Sequence, residues 1–236
     1  MLVAAAVCPC PPLLVPEVAA GAAPELDGLR AACLDAVGVL AAARPDRLVV
    51  IGPAGASGRG PHPQGATGSF RGFGVDVDVR LGRGEAAGER PLPQSLAVAA
   101  WLLGRTGWAA APVEGLGVGE PLETDRALAV GRELAATDER LALLVMGDGS
   151  ACRTLKAPGY LDPRAEDFDA AAARALGAAD SAALAAIDGE LAYELKAAGR
   201  APWQVLAGAG EGAGLTGALL HDEAPYGVGY FVATWS

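Results

Sequence analysis

Basic charge is scarce in this sequence. Its 236 residues hold 18 Lys and Arg against 28 Asp and Glu, a formal net charge of −10. Only Lys156 and Lys196 are lysines. With no basic surplus to neutralise phosphates, we expect no nucleic-acid partner and no polybasic membrane anchor. Histidine is scarcer still: His62 and His221 are the two present. Cysteine is limited to Cys8, Cys10, Cys33 and Cys152, too few for a disulfide framework in a chain this long, so free thiols in a cytoplasmic location are expected. No uninterrupted apolar run reaches the roughly 18 residues of a transmembrane helix. The apolar start lacks the positive stretch of a signal peptide and runs at once into Pro9, Pro11 and Pro12, so it reads as a buried first strand.

What is present is apolar: 52% of residues are hydrophobic and 19% charged, which excludes intrinsic disorder. Short apolar runs alternate with helical patterns, the signature of an α/β fold. Strands are expected at 2–7, 47–51 and 141–146, the last two continuous in apolar character as central strands should be. Pro24-Glu25 should open a helix whose stripe is Leu26, Leu29, Cys33, Val37 and Leu40. Further helices are expected at 94–103, 123–136, 164–177, 180–199 and 202–209, and further strands at 109–116, 215–221 and 228–234. Residues 52–69 read as a long Gly/Pro/Ser loop, and residues 75–81 alternate as a half-exposed strand. No repeat and no linker divides the chain, so 1–236 is expected to be one domain, a mixed central sheet with helices on both faces.

In open α/β sheets ligands bind beyond the carboxyl ends of the strands. Four segments qualify: 8–17, 52–69, 147–153 and 222–227. In the third, Asp148 and Ser150 are the candidate catalytic pair, able to hold a ligand through a carboxylate and a hydroxyl; the alternative is that Asp148 only caps a turn. The run from Gly115 to Glu120 echoes a dinucleotide-binding loop but lacks the full spacing of that motif. No P-loop and no nucleophile-elbow motif is present. Cys8 and Cys33 read as buried small hydrophobes, Cys152 as at most a wall residue, and Tyr226 and Tyr230 as packing for the terminal hairpin.

Four motifs carry a family resemblance, in order along the whole chain. VCPCPPLLVPE at the start, RLVVIGPAG after the second strand, LLVMGDGSACR after the strand at 141–146 and EAPYGVGYFVA at the end resemble the class III extradiol dioxygenases, the superfamily of the protocatechuate ring-opening catalytic subunit. Memo-like proteins are further relatives of that fold. The resemblance implies an extradiol dioxygenase-like fold and an Fe(II) site of two His and one carboxylate. It also implies that the key residues are replaced. Cys10 stands where the first ligand His would fall, Ala54 where the second would fall, and Ala151 where the acid–base His would fall. Only Asp222 or Glu223 remains to supply the carboxylate.

The expectation is therefore a dioxygenase-like protein without the usual iron site, keeping a cleft lined by Cys10, Pro11, Pro53, Ala54, Asp148, Ser150 and Ala151 for a small molecule or a protein partner. No cofactor is expected. The alternative is an oxidoreductase or hydrolase with a rebuilt metal site of Cys10, His62 and Asp222 or Glu223, whose mixed donors suit Zn(II) better than Fe(II). A third reading is a Memo-like interaction module without metal. A homo-oligomer stays open.

Overall fold

The computed structural model describes every residue from Met1 to Ser236. Seven strands form the central sheet in the order β3-β6-β2-β7-β1-β9-β8. Its middle is parallel: β1 (Leu2–Cys8), β7 (Leu141–Met146), β2 (Arg47–Pro53) and β6 (Val113–Val118) all run the same way. The margins are antiparallel, with β3 (Gly60–His62) on β6, and β9 (Tyr230–Trp235) between β1 and β8 (Gly217–Glu223). The sheet is thus mixed, and both of its faces are covered.

Strand alternation divides the apolar residues into two cores. On one face Ala4, Ala6, Cys8, Leu48, Val50, Ala142, Leu144 and Met146 pack against α2 (Asp27–Ala42) and α3 (Gln94–Thr106). On the other, Ala5, Val7, Val49, Ile51, Leu143 and Val145 pack with side chains of α4 (Thr124–Ala135), α5 (Ala165–Gly177) and α8 (Arg200–Gly210). The expected stripe of Leu26, Leu29, Cys33, Val37 and Leu40 is buried throughout. The helix itself starts at Asp27. Pro24 lies inside a 3₁₀ segment, Ala20–Leu26, that feeds into it.

Three expectations are corrected. The loop at 52–69 contains β3 and β4 (Thr67–Ser69), strands of three residues each that carry no readable period. The alternating stretch at 75–81 yields only the short β5 (Asp78–Arg80), paired with β4 in a separate two-stranded sheet; Val75, Val77 and Val79 nonetheless face the core, as the alternation requires. The helix expected at 180–199 breaks into α6 (Ser181–Ala185) and α7 (Gly189–Glu194). Asp188 causes the break, because its carboxylate accepts the backbone N–H of Glu190 and Leu191 and starts a new helix. A four-residue helical turn, α1 (Pro16–Ala19), completes the set.

Candidate functional site

Crossovers from β1 and β2 leave through α2 and α3 on one face, whereas β6 returns to β7 through α4 on the other. Where such connections diverge, a crevice opens at the carboxyl ends of the strands. An open cleft of about 510 Å³ lies there, lined among others by Cys10, Pro53, Ala54, Arg59, Gln94 and Asp148. Three of the four expected segments meet around it. The fourth braces the third, its Gly227 carbonyl accepting from the Arg153 backbone amide at 3.0 Å, and just past it the Gly229 carbonyl accepts from the Gly149 amide at 2.7 Å.

The floor of the cleft joins β1 to β7. The Gly147 amide donates to the Cys8 carbonyl at 3.0 Å, and the Cys10 amide donates to Asp148 Oδ1 at 2.7 Å. Burial pushes the Asp148 carboxyl up to about 6, a rise the Cys10 hydrogen bonds oppose in part. Burial, reinforced by the Asp148 charge, pushes the Cys10 thiol well above its ordinary value. Burial thus disfavours the Cys10 thiolate, the form a nucleophile needs. Tyr230 is buried nearby, and its hydroxyl is raised by burial first and by the Asp148 charge next.

One wall is built by glycines. A Cβ at Gly117 would lie 2.1 Å from the Gly58 carbonyl oxygen and 2.9 Å from the Ala54 Cβ, and one at Gly119 would strike the Arg59 guanidinium. The Gly115–Glu120 run thus lets the 54–59 segment lie flat on β6 and sets Ala54 and Arg59 in the cleft. That packing role accounts for the glycines that echoed a dinucleotide loop.

Of the expected cleft residues, Cys10, Pro53, Ala54 and Asp148 line it; Pro11, Ser150 and Ala151 do not. Ser150 is fully buried, and its amide and hydroxyl donate to Asp169 Oδ1 and Oδ2 at 2.7 and 2.8 Å. The expected pairing of Asp148 with Ser150 as catalytic neighbours is corrected by this arrangement, since the Ser150 hydroxyl is engaged away from the cleft. Ala151 is pinned under the following segment by the Leu195 carbonyl and the Gly159 amide. Cys152 is likewise buried, with its Sγ 3.5 Å from the Leu195 carbonyl.

The four proposed metal donors are not brought together. His62 is 2% exposed on β3, and its Nε2 bonds the Gly58 carbonyl at 2.8 Å. Asp222 and Glu223 are exposed on β8, two strands away from β1, where Glu223 lies 3.7 Å from His221. No group of three or more His, Cys, Asp or Glu side chains is placed to hold a metal ion. Ala54 and Ala151 offer no donor atom. The residues present do not fit the iron that the motif resemblance implies.

Asp169 was not singled out from the sequence, although one signal was there: an acid on α5 among the apolar residues Phe168, Ala172, Ala173 and Leu176. It is 1% exposed and takes a further bond from Arg153 Nη1 at 3.2 Å. Burial holds its carboxyl above the usual value, opposed by the Ser150 and Arg153 bonds. Arg59, Gln94 and Glu120 also line the cleft without any motif to mark them.

The arrangement defines an α/β protein with a polar cleft at a topological switch. Over 99% of both chains the fold is similar to the crystal structure of the uncharacterized protein JW3007 from Escherichia coli K12, with a TM-score of 0.60 at 15% identity. No family model and no curated protein matches the chain. No helix is long and apolar enough to cross a membrane.

Proposed function

We propose that the chain is a class III extradiol dioxygenase-like protein that does not open aromatic rings and keeps its cleft to bind a small organic molecule. The observation that carries this reading is the joint position of Cys10 and Ala54. Both line the cleft beside Asp148, at the motif positions where the family would place its two iron-binding His. Cys10 offers a buried thiol in place of an imidazole, and Ala54 has no lone pair to give. Arg59, Gln94 and Asp148 then offer a cation, an amide and a carboxyl for orienting a polar ligand of modest size.

The test is a comparison of turnover with binding. Protein incubated anaerobically with Fe(II) should open none of a panel of catechols in air, while a fluorescence or calorimetric screen of small carboxylic acids and phenols finds a ligand whose binding Ala54→Trp abolishes. Sustained ring opening by the Fe(II)-treated protein would overturn the reading.

A second reading has its own observation. A cleft carboxyl with a pKa of about 6 suits general acid–base work near neutral pH, so Asp148 is the residue on which metal-free catalysis would turn. Turnover of any cleft ligand should then follow a single ionisation near pH 6 and vanish in Asp148→Asn.

A further inference from the structure

The two edges of the sheet are treated differently. At one end β3 is only three residues long and contains Pro61. Its flank is sealed by Arg90, whose guanidinium donates to the Arg59 and Pro61 carbonyls at 2.8 and 2.9 Å. Short length, a proline and a cation are three of the devices that stop an edge strand from pairing with another chain, whereas β8 relies on its two carboxylates and one irregularity. At the other end β8 runs seven residues as GALLHDE, with no proline, lysine or arginine. Leu219 and Leu220 are 40% and 42% exposed on it.

The ladder shows which groups of β8 are free. Thr216 and Ser236 exchange both amide bonds at 3.0 Å, so they form a hydrogen-bonded pair. Antiparallel pairs alternate between bonded and non-bonded, which leaves the backbone groups of Gly217 and Leu219 directed away from β9. The irregularity between Leu219 and His221 shifts the alternation, so that beyond it Asp222 also faces outward. A second β8 laid antiparallel across a two-fold axis brings the outward groups of Gly217 and Asp222 opposite one another. Leu219 of each copy then lies opposite Leu220 of the other beside the axis, His221 opposite Ala218, and Glu223 opposite Thr216. No carboxylate faces another, although each strand carries two. Like charges directly opposed would destabilise the pair, and this register avoids them in a chain of net charge −10.

We infer that β8 is a self-pairing edge, through which two copies of this chain join their sheets about a two-fold axis. Light scattering on the eluted full-length protein should give twice the 23.5 kDa chain mass at high concentration and a fall toward the single mass on dilution. Leu220→Lys places two like charges at the axis and should weaken the pair about tenfold or more, with the thermal midpoint of the diluted chain unchanged. Hydrogen exchange at the amides of 217–222 should slow as concentration rises in the wild type and stay fast in the variant. A single-chain mass at every concentration overturns the inference. So does a dimer indifferent to Leu220→Lys, and so does protection of 217–222 that arises only when a different protein is added.

Discussion

Asp148 and Asp169 lie on either side of the loop after β7, and each accepts a backbone amide at 2.7 Å, from Cys10 and Ser150 respectively. Beyond that bond they part. Asp169 is closed in: the Ser150 hydroxyl and Arg153 complete its shell, and it sits 1% exposed. Two glycines make room for it, since a Cβ at Gly149 or at Gly229 would lie 2.7 Å from its oxygens. Asp148 has the one backbone donor and opens on the cleft. A buried carboxylate with several donors is a structural fastener, whereas a partly buried one with few is costly when ionised and available to a ligand. The fold uses one aspartate to hold the loop and presents the other.

The largest expected effect comes from breaking the fastener. Asp169→Ala leaves the Ser150 amide and hydroxyl buried without a partner and should lower stability by about 2–4 kcal/mol in chemical denaturation. Asp148→Asn should act in the opposite direction. The Asp148 carboxyl binds its proton more tightly in the folded chain than in the unfolded one, so between about pH 4 and pH 6 the wild type loses stability as pH rises. The asparagine variant avoids that loss. Its advantage should be absent below pH 4, grow to about 3 kcal/mol by pH 7 and level off. Equal stabilities at pH 4 and pH 7 would remove the distinction between the two aspartates.

His62→Ala sharpens the comparison at a third buried polar group. His62 is a satisfied structural side chain like Asp169, so the variant should cost about 1–2 kcal/mol in stability and leave ligand binding in the cleft unchanged. The smallest effect is on Cys10. Removing the neighbouring charge in Asp148→Asn should lower the thiol pKa, and alkylation of Cys10 at pH 8, followed by peptide mapping, should then run a few-fold faster.

The sheet was legible because its central strands are continuous apolar runs; β7 falls at Leu141–Met146, the span its composition indicates. The stripe of α2 was legible for the same reason, as apolar period requires no knowledge of neighbours. The margins were not. β3 and β4 exist because of what they pair with, and α6 and α7 separate at a single cap. The cleft was half legible. Strand ends and motif order brought Cys10, Pro53, Ala54 and Asp148 to it, but the same motifs also suggested Pro11, Ser150 and Ala151, which do not line it. Asp169 lies 19 residues from the Ser150 it holds, a pairing that only the packing of α5 on β9 creates. Arg59 and Gln94 reach the cleft through glycine-permitted contact and a helix start, neither of which marks a site in sequence.

The account turns on a cleft without iron chemistry, and metal retention tests it most directly. Tag-free protein would be loaded anaerobically with Fe(II), and separately with Zn(II), then desalted and its metal quantified by mass spectrometry. The account predicts far less than one metal per chain for both ions, with Cys10→Ala and His62→Ala indistinguishable from wild type. Near-stoichiometric metal that either substitution removes would contradict it, because the separated donors would then have come together.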